Sequence, residues 1–237
     1  MALKQAFAND PKRLRKERSE KFLNKNNIRI NTQLPAIEDE NEAKIKSAEE
    51  TLRRAVTALF ASQIAMDCLN EGVDIRESAS FFCEMLRRFG FSDEPTADEK
   101  RFFALAGNNA EKPPKRAADE MARRIEMTVP LLWALGIVKE LGYPNKPSDY
   151  IAEARKIVSC KDFGELMTIC DMRKPAKILD MADLLFRMDW ACADARLKDK
   201  APSGSLNFDV VAERHKGLNW LIGAVDAEDW DNVKIHI

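Results

Sequence analysis

The sequence predicts an all-α protein, and three observations carry the prediction. Apolar residues recur at helical spacing over most of the chain, while no alternating apolar–polar pattern survives over five or more positions between turn signals. Ala, Leu, Glu, Lys, Arg and Met outweigh the β-branched residues, a mix that favours helix. Nine Gly and ten Pro are few for 237 residues, so breaks are rare. The expectation is a single globular helical domain over 38–237, built from about seven to nine helices, behind a weakly ordered arm over 1–37.

Within the arm, Pro11 can occupy the first turn of a short helix reaching about Asn24. Asn, Thr and Pro then break the helical period through Glu40. Asp39 with Glu42 three residues on reads as a capping box opening a long helix. Its stripe is Ile45, Ala48, Leu52, Ala55, Leu59, Ser62, Met66 and Leu69, and Gly72 ends it. Val56, Phe60 and Ile64 widen the stripe beyond a coiled-coil seam, which makes this a central helix with several neighbours.

Asp74 starts the next helix, and Gly90 follows its end. Thr96 and Glu99 form a second capping box for a short helix through Leu105. Gly107-Asn108-Asn109 and Pro113-Pro114 mark a loop. A helix from about Lys115 to Leu141 carries the most hydrophobic stretch of the chain, with Pro130 as an expected kink. Shorter helices follow over Ser148–Cys160 and Asp162–Cys170. Pro175 opens a helix to about Lys198, and Asn207 or Asp209 opens the last one, to about Gly223. Residues 231–237 are the single strand-like piece.

Composition excludes several function classes. A net charge of −1 gives no overall attraction to nucleic acid or anionic membrane. The basic run from Lys12 to Lys25 is the one feature suited to a polyanion, and a solvated face or frayed terminus is the favoured reading of it. No apolar run is long enough to span a membrane, and the N-terminus lacks a signal-peptide core. Five widely spaced cysteines without a C-x-x-C read as reduced thiols of a cytoplasmic protein. With two histidines, no metal site and no cofactor are expected. No phosphate loop, nucleophile elbow, H-E-x-x-H or EF-hand sequence occurs.

The stretch from Asp180 to Trp220 is where chemistry is expected. At about 100° per residue, Met181, Leu184, Leu185, Met188, Ala191, Cys192 and Ala195 form one apolar face, and Phe186, Trp190 and Leu197 a second. Asp180, Asp183, Arg187 and Asp194 lie between them, and Asp189, Arg196, Ala182 and Ala193 would face solvent. Asp183 and Arg187 can pair at i, i+4. One arginine does not balance three carboxylates, so Arg214 or Arg53/Arg54 is expected nearby. His215 shares an apolar face with Val211, Leu218 and Ile222, which favours a His–Asp pair between the last two long helices.

Asp183 and His215 are the catalytic candidates; Arg187, Trp190, Asp194, Arg214 and Asn219 are the binding candidates. The competing reading is a buried salt-bridge network that fixes helix packing. Trp133, Trp190, Trp220 and Trp230 read first as core residues.

Several ordered motifs resemble a known family. They are Arg18-Ser19 with Leu23, Leu34-Pro35, Ser47-Ala48-Glu49-Glu50, Arg53-Arg54-Ala55 and Leu131 to Gly136. Asp183 to Trp190, Asp194 to Leu197, Val211 to His215, Leu218 to Leu221 and Asp229-Trp230-Asp231 complete them. The chain resembles, from about residue 14 to its end, the bacterial domain-of-unknown-function family numbered four-two-seven-two. Asp189 stands where the family pattern leads to a His, Lys216-Gly217 replaces an aromatic-Ala pair, and the last residues depart from the usual tail. The resemblance implies a bacterial α-helical domain and no particular activity.

The function expected is therefore a binding or interaction domain for a protein partner or a small polar ligand. The alternative is an enzyme, a hydrolase or lyase, using the Asp/Arg/His cluster. Membrane and nucleic acid are not expected partners.

Overall fold

The computed structural model describes residues 10–108 and 112–237. Residues 1–9 of the expected arm and Asn109 of the expected loop lie outside them. Helices α1 (Pro11–Lys25), α2 (Ala48–Leu69), α3 (Ile75–Arg88), α4 (Ala97–Ala106) and α5 (Lys115–Arg123) come first. Helices α6 (Ile125–Ala134), α7 (Ile151–Ser159), α8 (Phe163–Thr168), α9 (Pro175–Leu197) and α10 (Phe208–Ile222) follow. Two 3₁₀ turns lie at Ser203–Ser205 and Trp230–Asn232. There is no strand among the described residues, and the strand-like end is that second turn followed by irregular chain.

The central helix starts later than its first capping signal. Asp39 and Glu42 do bond reciprocally, Asp39 N–H to Glu42 at 3.1 Å and Glu42 N–H to Asp39 at 3.2 Å, but they close only a turn. The next residues are drawn elsewhere. Lys44 N–H donates to the Ile222 carbonyl (3.0 Å) and Lys46 N–H to the Leu221 carbonyl (2.9 Å). These are orphan carbonyls at the end of α10, and satisfying them outweighs extending a helix by two turns. Ser47 then caps α2 with Glu50 in a complete capping box.

Helix α2 packs on α3, α4, α5 and α6. Leu52, Val56, Leu59, Phe60 and Ile64 are essentially inaccessible to solvent. Each such side chain contributes roughly 1.5–3 kcal/mol of burial free energy. Its first half joins the main core with α6, α9 and α10; its second half joins a smaller cluster with Ala79, Phe102 and Met121. Phe82 and Phe103 pack against both.

The helix expected over Lys115–Leu141 is two. α5 and α6 meet at Arg124, whose N–H makes a tighter bond to the Met121 carbonyl (3.2 Å) and whose side chain goes to Asp98 and Asp231. Pro130 lies inside α6, whose ten residues are all buried. α6 stops at Ala134 because Gly136 turns the chain at φ 73°, where a Cβ would meet the Asp171 carbonyl oxygen at 2.6 Å.

Helices α9 and α10 are neighbours, and α10 also packs closely on α6. That approach depends on Gly217, where an added Cβ would lie 2.1 Å from the Met127 carbonyl oxygen. α1 docks on α9. It buries Leu23 and Arg15, and Arg15 Nη1 donates to the Glu38 carbonyl at 2.8 Å. Lys16 donates to the Thr32 (2.6 Å) and Leu34 (2.7 Å) carbonyls. The irregular segment after α1 is thus held by cationic side chains that satisfy its backbone oxygens.

Candidate functional site

The residues expected to form one site separate into several networks. Asp183, fully buried, receives two bonds from Arg187, at 2.9 Å to Nε and 2.8 Å to Nη2. Arg187 Nη2 also donates to the Pro35 carbonyl at 2.9 Å, so the pair clamps the extended segment to α9. Arg214 bonds Glu126 on α6 (3.0 Å), the Gly142 carbonyl (2.6 Å) and Ser148 (2.8 Å). Asp194 is half-buried and pairs with Arg29 at 2.9 Å and Lys198 at 2.5 Å. Arg29 also lies 5.9 Å from the Trp190 ring centre.

The cations that balance the α9 carboxylates are not those expected. Asp180 meets Arg15 and Arg18 of α1, and Asp194 meets Arg29 and Lys198, whereas Arg53 pairs with Glu49 and Glu94 and Arg54 with Glu99. The docked N-terminal helix supplies what the wheel assigned to later residues. Two positions assigned to solvent are buried as well: Ala182 is 2% and Asp189 5% exposed. The segment before α2 and helix α10 cover that side of α9. A His–Asp pair does form between α9 and α10, but with Asp189: His215 Nδ1 is 2.8 Å from its carboxylate.

A cleft of about 810 Å³ lies away from all of these. Three segments build it: the start of α2, the start of α4, and the chain after α10 through the turn at Trp230–Asn232. Two capping boxes fix two of the walls. Ser47 and Glu50 set the first turn of α2, and Thr96 and Glu99 that of α4. The third wall is tied to the second: Asp231 accepts from Thr96 Oγ1 (2.8 Å), from the Asp98 N–H (3.1 Å) and from Arg124 (2.7 Å).

Two tryptophans line the cleft. Trp220, from α10, and Trp230 meet edge to face at 5.3 Å between ring centres. Lys46 holds its ammonium 4.7 Å from the Trp220 ring centre, and Arg54 its guanidinium 5.2 Å from that of Trp230. Arg54 is buried and paired with Glu99 at 2.5 and 2.6 Å. Two of these lining residues also carry buried donors, Arg54 Nε and Trp230 Nε1, that have no acceptor among the described residues. Such groups cost about 1–3 kcal/mol each when left unpaired.

The charges divide into paired and open ones. Burial works to raise the Asp98 pKa, but the hydrogen bond and charge of Arg124, with Arg101 beside it, hold it below 3.8. Burial opposes the charge on the Arg124 guanidinium, yet its bonds to Asp98 and Asp231 raise its pKa above the ordinary arginine value. These groups are structural ties. Glu228 and Asp229 stand exposed at the rim, and Lys46 is half-buried against Trp220. The arrangement can hold a molecule through acceptor oxygens on the inner wall, with any donor or cationic group turned to the acidic rim.

No group of three or more His, Cys, Asp or Glu side chains among the described residues is arranged to hold a metal ion. No helix among them is long and apolar enough to cross a membrane.

Lys46, Arg54, Thr96, Trp230 and Asp231 line this cleft and were not singled out as a site by their sequence context. A signal existed. Four of the motifs that carry the family resemblance, those beginning at Ser47, Arg53, Leu218 and Asp229, converge here. Their separation along the chain hides the convergence from any local pattern.

No curated protein and no solved structure matches the chain. One family model, described as a domain of unknown function (DUF4272), matches residues 15–233. With nearly its whole length covered, the chain belongs to that family.

Proposed function

We propose that this protein is a binding module for a small polar ligand, and that the cleft between α2, α4 and the Trp230 turn is where the ligand sits. The observation that carries the reading is an 810 Å³ cleft whose lining residues include Arg54 and Trp230, each with a buried donor, Nε and Nε1, that has no partner among the described residues. A ligand offering acceptor oxygens there relieves an existing cost, and an aromatic floor adds contact area. The exposed Glu228 and Asp229 disfavour a multiply charged anion and favour a molecule that also carries donor groups.

A thermal-shift screen against polar metabolites tests this, with wild type beside Trp230→Phe and Lys46→Gln. A ligand at about a hundred times its Kd stabilises by roughly 2.7 kcal/mol, which in a chain of this size raises Tm by about 5–10 °C. The shift should shrink in Trp230→Phe, which keeps an aromatic ring but removes the indole N–H together with part of the ring area. A compound that stabilises both variants as strongly as wild type would place binding elsewhere and overturn the assignment.

A further inference from the structure

Helix α10 carries a second pocket on its other side. Trp220 faces the polar cleft, whereas His215 and Asn219, one turn apart, line a separate cavity of about 330 Å³. The walls of that cavity are mostly apolar and include Ile37, Phe186, Ile222 and Val225. Its volume lies at the small end of the range for small-molecule sites. Glu38 and His236 also line it, and His236 is exposed and 3.3 Å from Asp226.

The chemistry of His215 is fixed by its partner. Asp189 is 5% exposed and its carboxylate is 2.8 Å from His215 Nδ1. An ionised carboxylate only accepts, so Nδ1 carries the proton, and in the neutral ring Nε2 is an acceptor. His215 is itself only 2% exposed, yet it lines the cavity. With Nδ1 turned to Asp189, the ring edge bearing Nε2 is the one left to border that space. Nε2 has no hydrogen-bond partner among the described residues. The cavity therefore borders an acceptor, His215 Nε2, whose direction Asp189 fixes, within a mostly apolar lining that also includes Glu38 and, on the same helical face, Asn219.

We propose that this cavity binds a small, largely apolar molecule bearing a single hydroxyl, an alcohol or phenol, whose proton is donated to His215 Nε2. Asp189 acts as a positioning residue: it holds the tautomer and the ring orientation that make Nε2 the acceptor. The proposal rests on a different face of α10 from the polar cleft and stands or falls separately from it.

The test uses the full chain labelled with ¹⁵N-histidine and two probes of similar shape, para-cresol and toluene. Para-cresol should shift the His215 Nε2 resonance and leave His236 nearly unmoved, with toluene binding at least tenfold more weakly. Asp189→Asn should weaken para-cresol at least threefold and leave toluene unchanged, and His215→Phe should bring the two probes to equal affinity. His236→Ala should bind both as wild type does. Equal binding of the two probes by wild type, or para-cresol binding without a change at His215 Nε2, would overturn the proposal. Because the first comparison needs only wild type, a variant that fails to fold does not decide the matter.

Discussion

Thr96 and Asp231 stand 135 positions apart in the chain and meet through a 2.8 Å hydrogen bond from Oγ1 to the carboxylate. One residue caps α4, the other sits in the last 3₁₀ turn, and their bond closes the polar cleft. Asp231 also accepts from the Asp98 N–H and from Arg124, so a single carboxylate joins α4, the α5–α6 junction and the C-terminal segment.

Asp231→Ala should therefore cost more than a surface change. It leaves Arg124 with Asp98 alone and strips partners from Thr96 and the Asp98 N–H. We expect a loss of about 1–3 kcal/mol in urea denaturation, against about 1 kcal/mol for Thr96→Val. A ligand of the cleft should also bind more weakly, since Trp230 is adjacent to the lost tie. Stability and affinity both unchanged in Asp231→Ala would show that the closure is held elsewhere.

The Asp183–Arg187 pair should act as an interior clamp. Both side chains are at least 98% buried, and Arg187 further binds the Pro35 carbonyl. Replacing either partner alone by Ala should cost about 3–5 kcal/mol, because the other charge is stranded in the core. Asp183→Leu combined with Arg187→Met should recover much of that loss, as volume returns and no charge is stranded. Equilibrium denaturation of the three variants decides this. Single variants within about 0.5 kcal/mol of wild type would mean that water reaches the pair.

Two cysteines should be inert in the folded chain. Burial pushes the Cys192 thiol up to about 12, with the Asp189 charge adding to the effect. Burial likewise raises Cys170 to about 11, with Cys160 adding to it. At pH 8 neither forms appreciable thiolate, so iodoacetamide should label them only after unfolding in urea. The sign of the linkage follows. Below the ordinary value of 9.0 both states hold the proton, and these groups leave stability intact. Above it the unfolded chain ionises first, so stability should fall as pH rises from 9 toward 12. Mass spectrometry of alkylated protein reads the first effect and urea midpoints at pH 8 and 10 the second. Rapid labelling of native Cys192 at pH 8 would contradict the burial argument.

Most helices are legible one by one because their signals are local. Asp74, Thr96, Asp162 and Asn207 cap the helices they precede, and Pro11 and Pro175 open theirs. The exceptions mark places where distant groups compete with local ones. Asp39 and Glu42 make their reciprocal bonds, yet no helix follows because Lys44 and Lys46 bond the end of α10. The run through Arg124 reads as continuous helix, and the break there coincides with ion pairs to Asp98 and Asp231.

The candidate site shows the same division. The i, i+4 spacing of Asp183 and Arg187 anticipates their bond, and the apolar setting of His215 anticipates an Asp partner. That the partner is Asp189 is not visible on an isolated wheel, since the burial of a helix face depends on what else packs against it. The cleft formed by Lys46, Arg54, Thr96, Trp220, Trp230 and Asp231 has no local signature at all.

The sequence by itself determined that this chain is helical, where most of its helices begin, and which family it belongs to, because capping, periodicity and motif order act over a few residues at a time. The tertiary structure alone decided which charges meet, which donors are left unpaired and where the cavities lie. Those outcomes depend on close approach between segments far apart in the chain, such as the contact of Gly217 with Met127 and of Thr96 with Asp231, and no short window of sequence contains both partners.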